Sequence, residues 1–483
     1  IFDVYNHATL PLQLKLRVVH PVNITTFGCI NDYNGTTGTD NSPMLQSIID
    51  YLAPLGGGQL YTPFGRYYCA TGIDWQTGNF KAYTIIGDNR IICSFETDQD
   101  VVLFQHDSSF IIERVSLIQR GAIGSSRGLS SPLTTQVIQC SYKDIYIEGF
   151  KYNVWWRYSL WNSMQNVVTR DGSCGIKLSR NALPDDQSNP SAPGAWNVQG
   201  GFFHNENTFD NVLCIGGEIG FFGSVHTNTF SGITCQDQVI ADTNLNKVLP
   251  IGSPAIGMLL QNSGNDQSSF GAGGNTVNGF YTEVCEQPLI TEFVGLSLGS
   301  TYVQGNTFAL PYPQAFKFVG GNIELRGGDQ GGGDWFERTV EASDGATITG
   351  KLVGPAFKTE EFQVLSGAKY FRNRDESAFI KVSNGLANGA VVNISDAALL
   401  PHDMVTVNIS GMFNGTTPFL DVFDVYFRGA ASIQIHARSA NQGAVSIAVT
   451  NSVIEMTIIG GAGVWDMRSI ITNVTNTAQM PVF

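Results

Sequence analysis

The chain has 483 residues, of which 42% are hydrophobic and only 14% charged, with 54 glycines and a formal net charge of −14. This is the composition of a folded protein rather than of a disordered acidic one, and its Gly-rich, charge-poor character suits short stacked strands joined by tight turns. The absence of any Lys/Arg cluster excludes nucleic acid and an anionic membrane surface as partners, since both require basic side chains, and the lack of an apolar run of about 18 residues excludes membrane insertion.

The chain opens at Ile1 without a Met and without a charged-then-apolar leader, so residues 1–26 are read as a linking segment downstream of a missing N-terminal region. Within 27–69, Met44, Leu45, Ile48, Ile49 and Leu52 recur at helical spacing and predict a short helix with one apolar face. Asn41 or Ser42 can cap it, Pro43 suits its first turn, and Gly56, Gly57 and Gly58 stop it. A strand follows at 59–62, and Pro63-Phe64-Gly65 turns the chain. A helix in this place has the task of covering the open end of a coiled sheet, hiding apolar core and unpaired strand edges.

A degenerate repeat comes next: Asn207-Thr208-Phe209, Asn228-Thr229-Phe230, Asn275-Thr276-Val277 and Asn306-Thr307-Phe308, with looser copies before them. Its central apolar residues are Val115, Ile145, Val167, Val212, Ile233 and Phe280; the steps of 30, 22, 45, 21 and 47 residues read as one or two turns of a coil of about 22 to 24 residues. In stacked parallel coils equivalent residues lie about 4.8 Å apart, so Asn at each turn extends a side-chain ladder, Phe fills the interior, and Cys214 stacks on Cys235. The eight cysteines contain no CxxC or CxH arrangement; neither a metal site nor a disulfide framework is expected, and buried thiols made in a reducing cytoplasm are.

The repeat ends near Phe318, and residues 319–336 are Gly-rich. Alternating segments at 404–409, 420–428, 431–437, 445–449 and 454–459 then suggest a sandwich. The expected fold is all-β: a right-handed parallel β-helix over 27–325 behind a short N-terminal capping helix, a linker at 326–345, and a C-terminal jelly-roll-like β-sandwich over 346–483.

The stretch from Phe27 to Cys69 combines a Phe-Gly strand, a loop ending in Thr39-Asp40, an amphipathic helix, Gly-Gly, a strand and Pro63-x-Gly65-x-Tyr67. It resembles the entry module of the pectate-lyase-like β-helix superfamily as found in bacteriophage tailspikes that depolymerise capsule or O-antigen. The resemblance implies a homotrimer, with residues 346–483 as a trimerising or glycan-binding domain, that recognises and cuts a bacterial surface polysaccharide, capsule, O-antigen or exopolysaccharide. It further implies attachment to the phage baseplate or tail through the missing N-terminal region, synthesis in the host cytoplasm, and action from the virion tail at the host cell surface.

Between Asn181 and Phe316 a single basic residue, Lys247, faces eleven acidic ones. Glycoside hydrolysis uses two carboxyl groups, whereas β-elimination from a uronate needs a cation or a protonated group beside the sugar carboxylate, so hydrolysis without a cofactor is favoured. Arg170, Lys177, Arg180, His204 and His226 keep a polysaccharide lyase open, and a non-catalytic receptor-binding fibre is the other alternative. Counted from the aligned apolar residues, Asp171 and Asp237 stand four positions on, Glu148 and Glu283 three, Glu218 and Glu286 six. Glu283, in Phe280-Tyr281-Thr282-Glu283, leads the catalytic candidates, with Asp237, Glu218 and Glu286 expected on the same groove wall. Tyr281, Trp196, His226, Asp171 and Arg170 are the candidate sugar-binding residues; Trp155, Trp156, Tyr158 and Trp161 cluster as core or subunit contacts.

Overall fold

The computed structural model describes residues 2–5, 13–16, 21–75, 81–121, 124–132, 137–178, 204–238, 255–261, 272–304, 312–326, 330–331, 336–343 and 345–350, and thereafter the strands between 362 and 476. It falls into two units, residues 1–290 with 301–312, and residues 291–300 with 313–483.

The first unit begins with the expected helix, Ser42–Leu52, whose Leu45, Ile48, Ile49 and Leu52 are buried. Asn41 sits at the N-cap position, but its amide is spent elsewhere, on Ile30 N and O and on the carbonyls of Thr39 and Tyr68. Asp40 takes over, its Oδ1 accepting from Ser42 N at 3.0 Å and Ser42 Oγ at 2.7 Å. The Pro63-x-Gly65-x-Tyr67 turn has a steric reason. Gly65 adopts φ +141°, and a Cβ there would meet the Asn31 side chain at 2.4 Å. Tyr67 is fully buried and donates to Pro63 O at 3.1 Å.

Parallel coils follow. One wall of each coil bends in its middle: Thr208–Ile215 pairs in parallel with the second strand of the preceding coil, Ser163–Arg170, and with Thr229–Gln236 of the next. The bend is a column of left-handed residues, Arg114, Asp144, Asn166, Asn211, Gly232 and Gly279. A second wall stacks Val102–Gln105, Arg127–Ser130, Tyr152–Trp156, Cys174–Leu178, Ile219–His226 and Ile256–Gln261 in parallel. A short third wall holds Val137–Ile138, Ser159–Leu160 and His204–Asn205. Val167↔Val212 and Val212↔Ile233 are direct neighbours, as are Thr234↔Tyr281. The steps of 45 and 47 residues are therefore each one coil carrying an insertion, not the two turns their length suggests.

The interior is as the repeat predicts. Phe209 stacks on Phe230 with ring centroids 5.1 Å apart and planes 7° from parallel, and Phe221 meets both edge-on. Cys214 pairs in register with Cys235, and all eight cysteines are buried free thiols. At the corner between third and bent walls, Asn162, Asn207, Asn228 and Asn275 form the ladder: Asn162 Nδ2 donates to Asn207 Oδ1 at 2.9 Å, and Asn207 Nδ2 to Asn228 Oδ1 at 2.9 Å. Asn228 N then donates to Asn275 Oδ1 at 3.0 Å. Each buried backbone N–H at this corner thus finds an acceptor that the coil's own turn cannot provide.

In the second unit parallel pairing continues past the Gly-rich stretch. Val294–Leu298 pairs with Asn322–Leu325, which pairs with Thr347–Gly350, which pairs with Lys369–Phe371. Antiparallel sheets follow: Ala378–Leu386, Trp465–Asn476, Asp403–Phe413, Thr417–Phe427 and Ile433–Ala440 in one, and Val391–Asn393, Val453–Ile458 and Val445–Thr450 in another.

Candidate functional site

The bent wall ends at a corner where the chain again turns left-handed, at Gly149, Asp171, Gly216, Asp237 and Val284 on successive coils. Most of the predicted residues gather here. Glu148, Arg170, Ile215, Gln236 and Glu283 form one register column on the outward face just before the corner. Two residues earlier, Tyr146, Val168, Leu213, Thr234, Tyr281 and Tyr302 form a second outward column.

Glu283 is half-buried, and two donors converge on its Oε2: Tyr281 Oη at 3.1 Å and Gln236 Nε2 at 3.2 Å. Burial, with the hydrogen bond to Glu283, holds the Tyr281 phenol above its ordinary pKa. Tyr281 and Tyr302 stack at 5.1 Å with planes 6° apart, and Tyr302 is 40% exposed. This is an aromatic face open to solvent beside a fixed carboxylate. Asp237, exposed at the corner, donates its backbone N–H to Glu283 O at 2.9 Å. From strand spacing and rise the two acids stand about 6 Å apart at Cα.

Asp171 is exposed one coil beyond Gly216, so it faces Asp237 across two strand spacings, about 10 Å. A Cβ on Gly216 would lie 2.9 Å from Asp171 Oδ1. The glycine thereby leaves a low saddle between the two carboxylates. Arg170 reaches Asp171 Oδ2 at 3.6 Å and hydrogen-bonds Tyr146, which also donates to Glu148 Oε2 at 2.7 Å. Glu148 stands in the Glu283 column, as its offset predicts, whereas Tyr146, Gln236 and Tyr302 are site residues that the offsets of the acids do not reveal. The repeated Tyr-x-Glu spacing at Tyr146 and Tyr281 was the available signal.

Glu218 and Glu286 lie round the corner, at the start of the second wall. They share a register column as their offsets predicted, with Ala255 between them. Glu286 accepts the Ala255 N–H at 2.7 Å, and Glu218 is buried at 4% exposure. His226 lies elsewhere, at the Asn-ladder corner, where its Nδ1 meets Thr227 Oγ1 at 2.7 Å. One offset class fixes a column, not which corner the column belongs to. Of the cations invoked for elimination, His204 is fully buried against Ser159 Oγ at 2.8 Å, and Lys177 is fully buried with its Nζ 3.6 Å from the Trp155 ring centroid. Trp155 and Trp156 are buried as expected of a core. Trp196 and Arg180 lie outside the described residues.

A second charged cluster sits nearer the helix. Glu96, whose side chain is 1% exposed, accepts from Arg66 Nε at 2.6 Å, Arg120 Nε at 2.9 Å and Ser94 Oγ at 2.7 Å. Burial alone would raise its pKa, yet the three donors hold it below the ordinary carboxylate value. With no open oxygen face, this carboxylate ties coils together.

No protein-family model and no curated protein sequence matches the chain. Among solved structures it is similar to the tailspike of Acinetobacter phage vb_AbaP_AS12, at 9% identity over 93% of this chain and 83% of that one, with a TM-score of 0.47. It is also similar to a tailspike of Acinetobacter baumannii bacteriophage Fri1, a capsular polysaccharide depolymerase, at 10% identity over 96% and 87% with a TM-score of 0.36. A third is the A-module of a mannuronan C-5 epimerase of Azotobacter vinelandii, at 14% identity over 72% and 93% with a TM-score of 0.39.

Proposed function

We propose that the chain is a phage tailspike that binds a bacterial surface polysaccharide, capsule, O-antigen or exopolysaccharide, and cuts it by hydrolysing glycosidic bonds. The observation carrying this reading is the wall at the carboxylate corner: Glu283 held by Tyr281 and Gln236, Asp237 on the adjacent coil, and the open Tyr281–Tyr302 stack. Sugar C–H faces lie on rings of this kind, and two carboxyls within reach of one bond are what hydrolysis requires. Both donors occupy Glu283 Oε2, which leaves Oε1 to meet the substrate. Asp237 is the partner acid on this reading, with Asp171 and Arg170 contacting the polymer; Glu218, which is buried, and Glu286, bound to the Ala255 N–H, lie round the corner and take no part in it. The protein acts as a homotrimer at the host cell surface, carried on the virion tail.

The test is Glu283→Gln in the intact chain against a panel of purified capsules and O-antigens, with mass spectrometry of the products. Wild type is expected to release new reducing ends from one member of the panel. The variant should lose that activity by about 10³-fold or more, a large part of the acid–base and covalent contribution, while still binding the polymer. Full activity in the variant removes Glu283 from the site. Unshortened polymer with every sample would make the protein a binder only.

One observation favours a second reading. Tyr146 joins Glu148 to the exposed Arg170, a phenol beside a cation on the same wall, as elimination from a uronate would use. Unsaturated products absorbing near 235 nm, roughly the conjugated-uronate band, would move the chemistry to that trio.

A further inference from the structure

The Asn-ladder corner carries an exposed tryptophan for which packing gives no reason. Its left-handed column reads Ser109, Gln139, Trp161, Glu206, Thr227 and Gly274. Small or polar residues suit such a backbone, and a bulky ring there is strained. Trp161 is nonetheless at φ 54° and 55% exposed, while its neighbours Trp155 and Trp156 are 4% and 0% exposed. Its ring is also held. The indole Nε1 donates to Glu206 Oε2 on the next coil, and Trp161 N donates to Asn205 O at 3.3 Å. Behind it the buried amides of Asn162 and Asn207 lock the two coils together. Beside it lie Asn205 and His226, half-buried on the outward face and 3.4 Å apart at Oδ1 and Nδ1.

We infer that this corner is a second saccharide-binding site, separate from the carboxylate corner, at which Trp161 stacks on the C–H face of a pyranose unit. Glu206, Asn205 and His226 supply hydrogen bonds to its hydroxyls. The carboxylate at the ring edge selects an uncharged or amino sugar over a uronate. The inference borrows only the ligand class, a polysaccharide, from the proposed function; no residue is shared. The two corners lie at opposite ends of the bent wall, whose strands there, such as Thr229–Gln236, are eight residues long. A polymer held at the ladder corner therefore presents its chain to the wall without entering the cutting site.

The experiment uses the full chain in the Glu283→Gln background, run by affinity electrophoresis through gels containing each capsule or O-antigen of the panel. Retardation by at least one polymer is expected, weakened about ten-fold or more in apparent Kd by Trp161→Ala and largely kept by Trp161→Phe. With the catalytic Glu283 restored, Trp161→Ala should raise KM on long polymer and leave kcat, and turnover of short oligosaccharides, unchanged. Equal retardation with and without Trp161, or no retardation on any polymer, overturns the site. So does a change of oligomeric state in light scattering on Trp161→Ala, which would make the ring a subunit contact. Wild-type cleavage is scored separately. Should Trp161-dependent retardation appear with no polymer ever shortened, the depolymerase reading falls and this site stands.

Discussion

Gly216 has no side chain to contribute, yet it decides how the acids at the corner relate. Asp237 and Glu283 stand about 6 Å apart at Cα, from which their carboxyls can reach the about 5 to 5.5 Å that a double displacement through a glycosyl-enzyme needs. Asp171 and Asp237, two strand spacings or about 10 Å apart in the backbone, would lean together over the glycine to reach the about 6.5 to 9.5 Å typical of attack by water from the opposite face. NMR of the first-formed product therefore assigns the pair. Retention of the anomeric configuration is expected if Glu283 and Asp237 act together, and inversion if Asp171 and Asp237 do. At this scale the sequence was informative where a residue type and a register coincided, as in Tyr281-x-Glu283. It was silent on His226, since an imidazole beside Asn and Thr reads alike at either corner. It was equally silent on Glu218, whose burial at 4% no spacing reveals.

Among elements, the Asn ladder is held by hydrogen bonds within and between coils. Asn207 is 1% exposed; its Nδ2 donates to Ser159 O and Oγ and to Asn228 Oδ1, and its Oδ1 accepts from Asn162. Asn207→Leu, of similar volume, would take the acceptor from the Asn162 backbone N–H, one of the two acceptors from the Asn162 Nδ2, and a donor from Ser159 O. A loss of about 2 to 4 kcal/mol is expected, read as a lower midpoint in denaturant with little change in slope. The ladder and the Phe209–Phe230 stack were legible because a repeat prints its geometry onto the sequence. The helix was legible for its apolar stripe, but its cap was not. Asn41 has the right chemistry, and only tertiary bonds to Ile30 and Tyr68 draw its amide away and leave the role to Asp40.

For the molecule as a whole, acid is the expected weakness. His106 and His204 are buried as neutral rings, and burial lowers their pKa from 6.5 to about 4 and about 3. Below pH 6.5 the unfolded chain takes up protons that the fold refuses. This contribution is therefore whole above that pH and declines as pH falls towards 3 to 4, by on the order of 3 kcal/mol per residue. Depression of Glu96 adds a loss of the same sign at lower pH still, below the ordinary carboxylate value. The thermal midpoint should drop between pH 7 and pH 4.5, and His204→Gln should flatten that dependence even while lowering stability at neutral pH. A midpoint indifferent to pH in wild type would contradict the buried neutral state.

The coil steps of 45 and 47 residues have a consequence for how such a chain diversifies. Each closes a single rung, since Val167 still meets Val212 and Thr234 still meets Tyr281 whatever lies between. Length can be added or removed at those two excursions without sliding any rung against the next, because hydrogen bonds on both sides pin the pairing and loop closure grows costlier only slowly with length. Register is thereby uncoupled from chain length: the rungs keep their spacing however many residues separate them in the sequence.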